Sequence, residues 1–141
     1  MFKVNNIDLP IKNNKYQLDL GDSKSDVKIP FLIEYNKDLV LKHINKSCGC
    51  TQISKQTNGE IIGTFKPTVA ENATNKEQLK TKGVIYQKTM TVYFGESDTP
   101  AFVESFTKDG TLIKNADGKA VKALNPLLKS HTINLSTNVK S

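Results

Sequence analysis

Apolar and polar residues alternate at period two through most of the chain, the spacing of half-buried β-strands rather than helices. Tyr16, Leu18 and Leu20 share one parity and run into the turn signal Gly21-Asp22. Val27, Ile29, Phe31, Ile33 and Tyr35 then place large apolar groups on one face of a strand whose other face carries Lys28 and Glu34. Pro30 lies in that run on the opposite parity, and a missing ladder donor there predicts an edge position or a bulge. Further strands are expected over 39–44, 51–54 and 60–66, the last two joined at Asn58-Gly59, where a two-residue hairpin turn asks both central residues for positive φ. The polar run 67–82 reads as a long exposed loop. Val84, Tyr86, Met90, Val92 and Phe94 form a second long strand, interrupted on its inner parity by Lys88. Strands over 101–106 and 111–114 flank the hairpin signal Asp109-Gly110.

About eight strands in roughly a hundred residues, with no segment of convincing 3.6-residue period, predict an all-β, immunoglobulin-like antiparallel β-sandwich occupying residues 1–114. No internal repeat is apparent. From Asn115 the pattern weakens. Ala120 to Lys129 is broken by Pro126, and His131 to Val139 alternates only faintly. Residues 115–141 are therefore expected to be a C-terminal extension, either a loose end or an arm that lies on a neighbouring subunit through Val121, Leu124, Leu127 and Leu128.

Length and composition narrow the picture further. The 141 residues hold one domain's worth of core, and no apolar run is long enough to cross a bilayer as a helix. The net charge of +6 comes from 20 basic residues, all Lys, against 14 acids. Those lysines are spread from Lys3 to Lys140 without interleaved aromatics, and the bidentate guanidinium that reads guanine or clamps phosphate is missing, so specific nucleic-acid binding is not expected. Met1–Pro10 reads MFKVNNIDLP, not the basic and then apolar opening of a secretory leader; where that is the native start, maturation in a reducing cytoplasm, with thiols and not a bridge, is expected.

The chemistry-bearing candidates are few. Cys48 and Cys50 are separated by one residue with no helix after them, unlike a Cys-x-x-Cys redox pair whose thiol is acidified at a helix start. A zinc site would have to recruit His43 and His131 at an unfamiliar spacing. The simplest reading is that the two sulfurs pack as small apolar groups where a strand turns between sheets. No Gly-x-Ser-x-Gly elbow, glycine-rich phosphate loop or paired carboxylate in an apolar strand occurs, so no catalytic residue and no cofactor is expected.

Cys48-Gly49-Cys50-Thr51, with a strand before it and Gly59-Glu60 and a strand ending at Lys66-Pro67 after it, resembles the bacterial immunoglobulin-like domain family that carries a CGCT signature and belongs to the ASPM, SPD-2 and hydin group. The resemblance spans Tyr16 to Phe94 and implies a sandwich of that type. Members commonly follow an export or lipoprotein signal, implying a cell-envelope or periplasmic site that the chain's opening does not match. In style the small, Lys- and Asn-rich, unsignalled sandwich also resembles accessory virion proteins of tailed bacteriophages. That likeness implies a non-enzymatic capsid decoration, neck or tail-ring protein, present in many copies, whose partners are other virion proteins and not membranes. The leading expectation is this virion role. The alternatives are an envelope module whose signal has been removed and a thiol redox or metal-binding protein using Cys48 and Cys50.

Overall fold

The computed structural model describes all of residues 1–141. In chain order the strands are β1 (Phe2–Val4), β2 (Ile7–Asp8), β3 (Ile11–Lys12), β4 (Lys15–Ser23), β5 (Ile29–Tyr35) and β6 (Val40–Lys46). There follow β7 (Thr51–Thr57), β8 (Glu60–Phe65), the short helix α1 (Lys76–Lys80), β9 (Val84–Gly95), β10 (Phe102–Glu104), β11 (Lys122–Leu124) and β12 (Lys129–Val139). The protein is thus all-β apart from one helical turn. A first five-stranded sheet runs β2-β1-β5-β8-β7 and a second runs β3-β4-β12-β9-β6, with β10 and β11 paired separately. Every pairing is antiparallel except β4 with β12, which run parallel and make the second sheet mixed.

The alternation read from the sequence is what lets the two sheets face each other. Phe2, Phe31, Ile33, Tyr35, Ile61 and Phe65 of the first sheet meet Leu18, Met90, Val92, Phe94, Ile133 and Leu135 of the second in one buried cluster. Aromatic pairs bridge the layers: Phe2 with Tyr16 at 4.9 Å between ring centroids, Tyr35 with Phe94 at 5.3 Å and Phe65 with Tyr86 at 5.6 Å. Burying such rings dominates the energy of a sandwich core, with edge and tilted contacts adding a little more. The result is a sandwich-like body whose outer surfaces carry the opposite parity.

Several expectations change. The boundary at residue 114 is wrong, because β12 lies at the centre of the second sheet, hydrogen-bonded to β4 on one side and β9 on the other. Ile133, Leu135 and Val139 are fully buried, so residues 129–139 are core and not an arm. Their alternation looked faint because Thr137 occupies an inward position. The polarity is satisfied there: Thr137 Oγ1 donates to the Gly21 carbonyl at 2.8 Å, beside a register shift between β12 and β4. Val27 is exposed and outside the strand, which starts at Ile29. Pro30 does sit on a local edge, since β1 pairs with β5 only at Glu34 and Tyr35. The loop 67–82 contains α1, whose Leu79 is buried.

The turn chemistry also shifts. At Asn58-Gly59 only Gly59 has positive φ, at 95°. The turns with both central residues at positive φ are instead Asn5-Asn6, between β1 and β2, and Asn13-Asn14, between β3 and β4. Asparagine tolerates this region better than other non-glycine residues. The two hairpins are joined through Leu9-Pro10, so the chain crosses from the edge of one sheet to the edge of the other within its first fifteen residues.

Candidate functional site

On the opposite side of the body, the chain crosses back between the sheets at the cysteine motif. β6 is an edge of the second sheet, β7 an edge of the first, and Ser47–Cys50 turns between them. The corner is pinned at both ends. Ser47 N–H donates to Thr89 O and Thr89 N–H donates to Ser47 Oγ, each at 3.0 Å, while Lys66 N–H donates to Cys50 O at 2.8 Å. Cys50 packs against the core cluster, Gly49 is exposed and the hydroxyl-bearing Thr51 is buried. The strand therefore does turn between sheets here, but Cys48 and Cys50 are joined as a disulfide with Cα atoms 5.3 Å apart, not packed as free thiols. Cys50 N–H points at Cys48 Sγ at 3.2 Å.

Neither histidine joins the sulfurs in a cluster, and no group of three or more His, Cys, Asp or Glu side chains converges. His43 stacks on the outer face of the second sheet against Phe102 at 5.0 Å and Tyr93 at 6.0 Å. His131 stands among Phe2, Tyr16 and Phe94. Burial there holds its pKa below the ordinary imidazole value, helped by the positive N-terminus and Lys129.

Between β9 and β12 the chain makes a long excursion, Glu96–Leu128, in which Asn125 alone is buried. It contains a motif that the sequence reading missed. Phe106-Thr107-Lys108-Asp109-Gly110-Thr111-Leu112-Ile113 is followed by Lys114-Asn115-Ala116-Asp117-Gly118-Lys119-Ala120-Val121, an eight-residue repeat with Asp-Gly at matching places. The two copies fold alike. In the first, Thr107 N–H donates to Thr111 O at 2.8 Å, Gly110 N–H to Thr107 O at 3.0 Å and Thr111 N–H to Thr107 Oγ1 at 3.2 Å. In the second, Asn115 N–H donates to Lys119 O at 2.8 Å, Gly118 N–H to Asn115 O at 3.0 Å and Lys119 N–H to Asn115 Oδ1 at 3.1 Å. The glycines at φ of 88° and 77° supply the left-handed step. Hydrogen bonds from Thr107 and Thr111 hold the Asp109 carboxyl below the usual carboxylate range. The repeat closes on itself: Ile113 N–H donates to Ser105 O, Val121 N–H to Ile113 O and Ser105 N–H to Val121 O, at 2.8–2.9 Å. A period of eight with Thr in one copy and Asn in the other hid the similarity, because the shared feature is a side-chain oxygen and not a residue type.

The four apolar residues singled out from the sequence all fall in this excursion or at its end. Three of them are partly buried and tied back into the chain. Val121 takes part in the closed ring of bonds, Leu124 pairs with Phe102 across β10 and β11, and Leu128 lies over Gly95, with its Cδ2 2.7 Å from where a Cβ would stand. Leu127 is 77% exposed, on a turn set by Asn125, whose Oδ1 accepts the Leu127 N–H at 3.0 Å and whose Nδ2 donates to Pro100 O at 3.1 Å. Phe102, Phe106 and Ile113, assigned from sequence to the sandwich, are also exposed on the excursion. Compared with known proteins, the chain matches no family model, no curated protein and no solved structure.

Proposed function

We propose that the protein is a non-enzymatic immunoglobulin-like sandwich that serves as a structural component of a phage particle, with the Glu96–Leu128 excursion contacting neighbouring subunits. The strand orders support the immunoglobulin-like reading: β1-β5-β8-β7 corresponds to A-B-E-D and β6-β9-β12 to C-F-G. In that scheme the excursion is the F–G loop, the position used for recognition in variable domains.

The single observation that carries the interaction role is the excursion's composition. It holds Phe102, Phe106, Ile113 and Leu127 at the surface while burying almost nothing of its own. Exposed apolar groups on a segment lacking a core suit an interface. Strand addition is a poorer route, because β2 and β3 have two residues each and β6 and β7 carry register shifts and lysines, devices that blunt an edge. Purification from the native source tests the reading: the protein should arrive in a large particle in many copies. Phe106→Ser with Leu127→Ser should leave the melting temperature unchanged and lower incorporation. Recovery as a free monomer alone would overturn the proposal.

A second reading is favoured by the Cys48–Cys50 disulfide, since such bonds persist in oxidising compartments. It makes the chain an envelope module related to the CGCT family, and recovery from a periplasmic or envelope fraction would select it.

A further inference from the structure

The strands that meet at the cysteine corner bring positive charge to it and no negative charge. β6, β7 and β9 hold no acidic residue, and the one carboxylate of β8, Glu60, lies at the end of that strand away from the corner. Lys46 ends β6, Lys66 follows β8, and Lys88 is half-buried on the core-facing parity of β9, paired with Leu135. The molecule's one ion pair, Lys140 with Asp22, involves none of these lysines. Lys88 is steadied by the Tyr86 ring, whose centroid is 5.5 Å from its ammonium, without being neutralised. Lys46 pairs with Met90 and Ser47 is hydrogen-bonded to Thr89, so the next residue, Cys48, comes to the level of Lys88.

The two sulfurs are not equivalent. Cys48 Sγ accepts the Cys50 N–H at 3.2 Å, whereas Cys50 packs against the core cluster. A hydrogen bond to sulfur and a lysine at its level both favour thiolate over thiol, which makes Cys48 the sulfur that attacks and leaves and Cys50 the one that resolves. The corner is also open. Cys48 is only partly buried, Gly49 is exposed, and nothing stands within 4 Å of where a Gly49 Cβ would be. Opening the bond costs the fold little, because the Ser47–Thr89 and Lys66–Cys50 hydrogen bonds hold both ends of the corner without the sulfurs and so short a loop constrains the unfolded chain little. A bond that is reachable and adds little to stability is of the labile kind. We propose that Cys48 and Cys50 form a thiol–disulfide exchange site for an exposed dithiol of another protein. The partner's first thiolate attacks Cys48 Sγ, the Cys48–Cys50 bond breaks, and its electron pair leaves on Cys50 Sγ, which takes a proton from water. The partner's second thiolate then attacks the partner sulfur of the mixed disulfide and releases Cys48 as a thiolate held by the Cys50 N–H. The chain's disulfide is reduced by two electrons and the partner's dithiol is oxidised by the same two, one exchange per chain, with no further oxidant. The inference rests on neither the virion nor the envelope reading.

Thiol chemistry on the full chain tests it, with dithiothreitol as the dithiol and glutathione disulfide as the trap. Dithiothreitol should open the bond in the folded chain, and both thiols should then react with iodoacetamide without denaturant. Followed against pH, with mass spectrometry assigning the labelled residue, the faster thiol should be Cys48 and should ionise about one pH unit or more below the ordinary thiol value of about 8.5. Lys88→Gln should raise that midpoint by about half a unit or more, while Lys80→Gln on α1 should leave it unchanged. Cys50→Ser, which keeps the attacking sulfur, should capture glutathione at Cys48, and Cys48→Ser should capture it about tenfold more slowly at Cys50. A bond that opens only when the chain unfolds, an ordinary ionisation midpoint for Cys48, no effect of Lys88→Gln, or equal capture by the two serine variants would each overturn the proposal. Because the opening of the bond and the ionisation of Cys48 are read in the wild type, the test stands even if a variant misfolds.

Discussion

Leu127 and Leu135 lie on either side of the start of β12, and truncating each to Ala separates two views of the C-terminal segment. Leu135 is 0% exposed, faces Leu18 across β4 and Lys88 across β9, and belongs to the core cluster. Its removal leaves a cavity between two packed sheets, where the walls collapse poorly, so the cost should sit in the middle of the range for buried Leu→Ala changes, about 3–4 kcal/mol. That is a large part of a typical stability of about 5–15 kcal/mol and should lower the melting temperature by about 10–15 °C. Leu127, exposed on its turn, should change stability by less than about 0.5 kcal/mol. Urea denaturation followed by circular dichroism, with calorimetric melting alongside, measures both. Truncation after Lys114 should abolish cooperative unfolding, because it removes the strand that β4 and β9 share. A Leu135→Ala cost below about 1 kcal/mol, or a truncated chain that still unfolds cooperatively, would refute the reasoning.

Three further outcomes are expected. Gly63→Ala should destabilise by about 1–3 kcal/mol in the same denaturation assay, because a Cβ there meets the Gln52 carbonyl oxygen and stands 2.8 Å from Phe31 Cζ. The neutral form of His131 is the native one and its folded pKa lies below 6.5, so its contribution is complete above about pH 6.5 and is lost as the pH falls from there toward the folded value. His131→Phe should flatten that part of the stability–pH curve between pH 7 and 5. Reduction of Cys48–Cys50, or Cys48→Ser with Cys50→Ser, should lower stability by no more than about 1.5 kcal/mol, since so short a loop constrains the unfolded chain little.

The alternation along β5, β8 and β9 made the all-β class and most of the core readable, because a side chain's face in a strand depends only on its parity. The corner at Cys48–Cys50 was readable for a similar local reason. The second of the two eight-residue copies reads as the start of a tail in the sequence, and contacts that depend on neighbouring strands are not visible there at all. Gln17, Gln87 and Asn134 are unremarkable polar residues in the sequence, far apart along it, and form a ladder only because β12 inserts between β4 and β9.

What the order of residues settled alone was local: strand rhythm, turn positions, and the absence of a helix-sized apolar run. Where the last strand goes was settled by assembly. Thr137 reads as polar until a bulge offers it the Gly21 carbonyl, and His131 reads as part of a C-terminal extension until the rings of Phe2, Tyr16 and Phe94 surround it. Parity is a property of neighbours in sequence, whereas burial and pairing belong to neighbours in space, and for β12 those neighbours are β9 and β4, the latter more than a hundred positions earlier.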